Sequence, residues 1–277
     1  MTTSSVLRSP RDATDSVVSS PRYSLVVSSD REHRVAAQRL RYQVFASEPG
    51  FSIPDDPDGL DADRFDDFCD HLLVRHDATG EFVGCYRMLP PDAAVAAGGY
   101  YTATEFDISA LVPAENRIVE MGRACVDPDH RSGSVLSLMW AGILHYLDLT
   151  GHESVMGCVS VPMQETPDEP AGANVRGVRD MILRKHGNEP DRRAVPYSPV
   201  VVDGKGLDDL VPPVRPSIPP LLRGYLRLNA KICGEPAHDP AFGVADFVAM
   251  LHRRDANQRY LDRLQQASAN LESGSLR

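Results

Sequence analysis

The pattern of apolar and polar positions predicts strands and helices in turn. Tyr23–Ser28 reads as a strand, and residues 30–47 as a helix capped by Asp30, with apolar positions at helical spacing. Residues 48–67 form a long loop rich in Pro, Gly and Asp. Residues 71–76 and 81–89 follow as strands joined by Asp77-Ala-Thr-Gly80, whose composition predicts a hairpin. A loop over 90–115 leads to a strand at 117–126, an amphipathic helix at Ser134–Thr150, a strand at 153–161 and a helix near 171–186. Beyond this the chain is Pro-rich. Pro219-Pro220 are placed to open a helix running through Cys233, with Gly234 as its stop. Residues 245–251 read as a late strand and 256–271 as a closing helix. No internal repeat is present, and the alternation predicts an α/β fold around a mixed sheet with helices on its flanks.

The ends of the chain differ from this pattern. Residues 1–22 are rich in Ser, Arg, Asp and Pro, hold no apolar run that would form a signal-peptide core, and read as a disordered tail. Residues 265–277 read as a C-terminal tail, leaving 23–264 as the folded domain. The longest apolar stretch, near 136–149, is interrupted by Trp140, His145 and Asp148 and is too short to span a bilayer. A cytoplasmic protein is expected, with peripheral membrane contact left open.

Composition removes several functions. The 277 residues carry a net charge of −10, which disfavours nucleic acid as a partner because phosphate binding needs concentrated Lys and Arg. Cys69, Cys85, Cys125, Cys158 and Cys233 are odd in number and widely spaced, so reduced buried thiols are expected rather than disulfides or a zinc site. No G-x-S-x-G elbow, phosphate-binding P-loop, G-x-G-x-x-G turn or H-E-x-x-H pair occurs, and no metal site is predicted. What is left is chemistry done by positioning and polarisation.

Charged residues inside apolar segments are costly unless paired, so Arg41, Asp70, Arg87, Glu120 and Arg123 are expected to meet. Their context is informative. The series Arg41-x-x-x-Phe45, Asp67-x-x-Asp70, Arg87 and Glu120-x-x-Arg123 resembles the acyl-homoserine-lactone synthases, a branch of the GNAT superfamily. The stretches Asp66-Asp-Phe-Cys-Asp-His-Leu-Leu-Val74, Leu221-Leu-Arg-Gly-Tyr-Leu-Arg-Leu228 and Cys233-Gly-Glu-Pro-Ala-His-Asp-Pro240 resemble the ornithine-lipid N-acyltransferases more closely. The resemblance covers about residues 23–264. It implies a GNAT-like fold with a C-terminal extension. The implied activity is transfer of a (3-hydroxy)acyl group from acyl carrier protein to the α-amino group of ornithine, giving lyso-ornithine lipid. No cofactor is bound in that chemistry; the acyl thioester is a co-substrate.

Two departures stand out. Phe51 occupies the place where the lactone synthases carry Trp, and the phosphate loop of GNAT enzymes is reduced here to Arg131-Ser-Gly-Ser134 ahead of a helix. A helix N-terminus still attracts phosphate oxygens, so Val126, Arg131, Ser132, Gly133 and Ser134 are the expected donor contacts.

Glu120 reads either as the general base or as an ion-pair partner of Arg123 or Arg87. Asp67 and Asp70 read as holding a cationic acceptor, since residues 55–70 contain eight aspartates against one arginine; a solvated acidic loop is the plain alternative. Arg41, Arg87 and Arg123 suit a carboxylate clamp or an internal network. Phe45 and Phe51 suit an acyl channel or simple packing. The basic residues Arg176, Arg179, Arg184, Lys185, Arg192 and Arg193, with Arg223, Arg227 and Lys231, suit docking of an acidic carrier protein or a solvated face. An acetyl-CoA-dependent N-acetyltransferase and a non-catalytic acyl-chain binding module share these features.

Overall fold

The computed structural model describes residues 5–8, 23–112, 117–131 and 133–262. In chain order the strands and helices are β1 (Ser5–Arg8), β2 (Tyr23–Ser28), α1 (Arg31–Ser47), β3 (Asp70–His76), β4 (Phe82–Leu89), α2 (Pro91–Ala96), β5 (Phe106–Asp107), β6 (Ile118–Val126), α3 (Ser134–Thr150), β7 (Ser154–Pro162) and α4 (Ala173–His186). There follow β8 (Val195–Pro196), β9 (Val201–Val202), β10 (Lys205–Gly206), α5 (Pro220–Arg227), β11 (Lys231–Ile232), β12 (Ala237–Asp239) and β13 (Val244–His252). The main sheet runs β1-β2-β3-β4-β6-β7-β13-β11, with β12 also on β13. All its pairings are antiparallel except β6 with β7. The α/β expectation holds.

Period-two alternation assigns the two faces of the sheet. Val26, Leu73 and Cys85 pack on α1 with Ala37, Leu40 and Val44. Their neighbours Leu25, Leu72 and Tyr86 pack on α3 with Met139, Trp140 and Ile143. The α1 face also carries α2 and the 48–68 loop, joined by a second cluster that includes Phe65, Leu89, Phe106, Met156 and Val248. The other face carries α3, α4 and α5, so the sheet lies between two layers.

Several expectations need correction. Ser5–Arg8, placed in a structureless tail, pairs antiparallel with Ser24–Val27 of β2 and covers what would be an open edge. The loop over 90–115 contains α2, a 3-10 turn at Thr102–Thr104 and β5, because Pro91 is pre-organised for a first helical turn. The helix opened by Pro220 ends at Arg227 rather than Cys233: Asn229 adopts φ 74°, and Lys231–Ile232 turn back to pair with β13. Gly234, at φ 122°, therefore serves a turn after a strand and not a helix stop. The closing helix is described only from 258 to 262, and its expected continuation, with the 265–277 tail, lies outside the described residues. No helix among the described residues is long and apolar enough to cross a membrane.

Candidate active site

Strands β6 and β7 run parallel for only three residue pairs, Ile118–Glu120 against Ser154–Met156, and then splay. Gly157 sits at the branch point. A Cβ there would lie 2.0 Å from the Met121 carbonyl oxygen, so only glycine lets the strands come this close before they part. A cavity of about 670 Å³ fills the opening. On the α3/α5 side it is lined by Tyr86, Leu136, Met139, Val159, Leu221 and Tyr225, and this half is apolar. On the α1 side it meets Glu120, Arg123, Tyr101, Ser160, Asp239 and Asp246. One cavity thus joins a greasy compartment to a charged one through the sheet.

A β-bulge shapes the charged half. Between Cys85–Cys125 and Arg87–Gly122 strand β6 carries one extra residue, and Arg123 there adopts φ 53°. Bulges re-aim side chains next to functional sites, and a left-handed non-glycine residue costs about 1 kcal/mol or more. The Arg123 guanidinium is thereby set 5.2 Å from the Tyr101 ring centre and 4.7 Å from that of Phe242.

Three arginines from three elements meet three aspartates from one loop. Arg41, 1% exposed, donates 2.9 Å bonds from both Nη atoms to the two Asp66 oxygens, and its Nε lies 2.8 Å from Asp61 Oδ2. Arg87 reaches Asp63 at 2.6 Å and Asp66 at 3.3 Å. Arg123 lies 3.4 Å from Asp61 and 3.3 Å from Asp63. Burial alone would raise the Asp66 carboxyl, but Arg41 and Arg87 overturn that and hold it well below the ordinary carboxylate range. Each guanidinium is committed internally, so the group reads as a clasp fastening the 48–68 loop to the sheet.

Glu120 is 5% exposed and is not paired with either arginine. Its Oε1 accepts from the Thr102 amide at 2.6 Å and the Thr102 hydroxyl at 2.5 Å, and its Oε2 accepts from the Tyr101 amide at 2.6 Å. Burial raises its pKa, opposed by those Thr102 and Tyr101 bonds. It therefore anchors the turn that follows α2, and retains lone-pair capacity on Oε2 toward the cavity.

The remaining sequence candidates divide. Phe45 and Phe51 stack, with ring centres 6.3 Å apart, and line the cavity on its α1 side, across from the apolar half. Val126, Arg131 and Gly133 line the cavity, and Gly133, at φ 99°, precedes α3. Arg131 is spent on Glu48 at 2.6 Å and the Val126 carbonyl. Ser134 is buried beside the opening, and Ser132 lies outside the described residues.

Two candidates lie away from the cavity. Asp67 is 72% exposed and pairs with Arg34 on the surface. Asp70 turns to the opposite face of the sheet, where the Tyr146 hydroxyl donates to it at 2.7 Å. Alternation explains the second: His71 points at Asp66, so its neighbour Asp70 cannot.

Sequence reasoning assigned no site role to Asp239, Asp246 or Glu105, whose carboxylates approach within 4.8 Å of one another. Asp246 is 4% exposed, the third residue of β13, and Ser160 Oγ donates to it at 2.6 Å. The signal was a lone charge inside an apolar strand, the same rule that found Glu120. Glu105 sits in a loop without any such marker. Burial and the Asp246 charge push Glu105 up to about 8, and burial, partly offset by Ser160, pushes Asp246 up to about 6.

Residues 40–141 match the acetyltransferase (GNAT) domain family. The chain is 33% identical over 243 residues to an L-ornithine N(alpha)-acyltransferase of Rhizobium meliloti (strain 1021), covering 82% of this chain and 79% of that one. It is equally 33% identical over 241 residues to an L-ornithine N(alpha)-acyltransferase of Brucella abortus (strain 2308), covering 82% and 83%. Among solved structures, the CoA-dependent acyl-homoserine lactone synthase BjaI, with SAM and isopentyl-CoA, aligns at TM-score 0.47 and 14% identity over 86% of this chain and 83% of that one.

Proposed function

Since the chain belongs to the L-ornithine N(alpha)-acyltransferase family and is an N-acyltransferase, we propose that it moves a 3-hydroxyacyl group from acyl carrier protein to the α-amino group of ornithine, giving lyso-ornithine lipid. The observation that carries this reading is the cavity through the β6/β7 splay, with an apolar half for an acyl chain and a charged half for an amino acid.

In this reading the thioester carbonyl lies at the splay. Beyond Glu120 the β7-facing edge of β6 leaves its strand partner, and its backbone N–H groups are available to the oxyanion. The amine attacks the carbonyl carbon, the C–N bond forms as the C–S bond breaks, and the leaving thiolate takes up the proton that the attacking nitrogen sheds, giving the amide and the free thiol. Glu120 takes the proton that the ammonium must lose, directly or through water. Arg41, Arg87 and Arg123 act through the clasp, by fixing the wall against which the acceptor sits. Val126, Gly133 and the start of α3 receive the donor's phosphopantetheine arm. Holding both reactants at near-attack distance contributes about 7–11 kcal/mol to such reactions.

The test is thiol release by the purified protein with 3-hydroxypalmitoyl carrier protein and L-ornithine, with the product mass read in parallel. An N-acylornithine mass that requires both substrates is expected. Release with acetyl-CoA alone would point to an acetyltransferase, and acyl-chain binding without release to a non-catalytic module.

A further inference from the structure

Two carboxylates of the charged compartment, Asp239 and Asp246, face the cavity, and Glu105 packs behind them. None of them belongs to the arginine clasp. Of the arginines lining the cavity, Arg87 and Arg123 pair with Asp61, Asp63 and Asp66 and Arg131 pairs with Glu48, so Arg123 reaches Glu105 and Asp246 only through its field. Asp239 spends Oδ1 on the Ala241 and Phe242 amides. Asp246 is 96% removed from solvent with Ser160 as its hydrogen-bond donor, and Glu105 Oε1 is shut off from solvent with no donor among the described residues. At neutral pH Glu105, pushed up to about 8, keeps its proton, while Asp246, pushed up to about 6, stands as a buried carboxylate with no arginine paired directly to it, and a cation in the cavity would complete it.

The position of this cluster relative to Glu120 defines what such a cation would be. Glu120 Oε1 touches the Thr102 hydroxyl at 2.5 Å, that hydroxyl lies 3.7 Å from Cys158 Sγ, and the sulfur lies 4.0 Å from Glu105 Oε2. Glu120 and Glu105 therefore flank one residue of β7, Cys158, and Asp246 lies beside Glu105 on the cavity side. A carboxylate would be repelled there; a primary ammonium, with three donors, suits several convergent carboxylate oxygens.

We propose that Asp246, with Asp239 beside it and Glu105 behind it, receives the side-chain ammonium of the acceptor and selects amino acids that carry a second positive charge. This rests on the reading of the protein as an N-acyltransferase of ornithine. Glu120 then serves the reacting α-amino group and Asp246 the distal one, which orients the diamine so that only one nitrogen meets the thioester.

Calorimetric titration of the full chain with L-ornithine and with L-norvaline, which lacks only the terminal ammonium, tests this without any variant. Ornithine is expected to bind about 100-fold more tightly, because a site with buried charges rejects the analogue that leaves them unpaired. Asp246→Asn, checked for folding by its melting curve, is expected to bring ornithine down to the norvaline level; Ser160→Ala is expected to narrow the preference. Equal binding of the two ligands, a preference that survives Asp246→Asn, or displacement of ornithine by Mg²⁺ or Ca²⁺ seated on the three carboxylates would overturn the proposal. Tight, Asp246-dependent ornithine binding with no thiol release from any acyl donor would instead sink the acyltransferase reading and leave the cation subsite standing.

Discussion

At the scale of single residues, the site holds three carboxyl groups with opposed histories. Asp66 is buried yet kept ionised by two guanidinium groups, while Glu105 and Asp246 are buried with little to keep them so. Raised carboxyl pKa values make folding stability fullest below the unfolded-state value and lose it as pH rises through the folded one. The melting temperature is therefore expected to fall between about pH 4.5 and 8 in ligand-free protein, and Glu105→Gln or Asp246→Asn should flatten that fall in a thermal-melt pH series. Glu120→Gln is expected to lower kcat by about 10²–10⁴-fold and to abolish the acidic limb of the kcat/KM pH profile. If Glu120 only anchors Tyr101 and Thr102, kcat will fall without any change in that profile's shape.

At the scale of elements, the β6/β7 splay and the clasp hold the site in shape. Gly157→Ala would drive a methyl group into the Met121 carbonyl and push the strands apart where they should touch. A loss of about 1–3 kcal/mol in chemical denaturation is expected, with a larger loss in kcat/KM than stability alone explains. Asp66→Asn removes the shared partner of Arg41 and Arg87 and should destabilise by about 3–5 kcal/mol, since it strands buried positive charge. How much of this was legible differs by element. Strands β3, β4, β6, β7 and β13 and helices α1, α3 and α4 could be read from periodicity, because burial on a sheet face or along one helix stripe imposes period two or 3.6 on the residues themselves. The clasp was legible in part: Arg41 and Arg87 stood out as charges in apolar segments. Their partners did not, because Asp61, Asp63 and Asp66 lie in a loop of eight aspartates whose fold no local pattern specifies.

At the scale of the whole molecule, charge is spread unevenly despite the net −10. Arg176 and Arg179 are consumed by Asp180, Asp208 and Glu235, which removes them from the basic face expected of them. Arg184, Lys185, Arg223, Arg227 and Lys231 are exposed, and α5 also supplies Leu221 and Tyr225 to the apolar end of the cavity. Arg223→Glu with Arg227→Glu is expected to raise the KM for acyl carrier protein about tenfold, with steep salt dependence, and to leave acyl-CoA far less affected. Equal losses with both donors would remove this face as a docking surface.

The sequence by itself determined the alternation of elements, the apolar faces of the sheet, the absence of nucleophile and dinucleotide motifs, and a set of costly charges from which Glu120 and Arg123 emerged. These are properties that neighbours along the chain impose on one another, and they survive without knowledge of the fold. Only the tertiary structure decided which carboxylates meet which arginines, that Asp70 faces away and Asp67 faces water, and that Asp246 on β13 joins Glu105 from a loop 141 positions earlier. Such pairings depend on strand register and on the path of long loops. A shift of one residue sends a side chain to the other face of the sheet, so no local pattern can encode them.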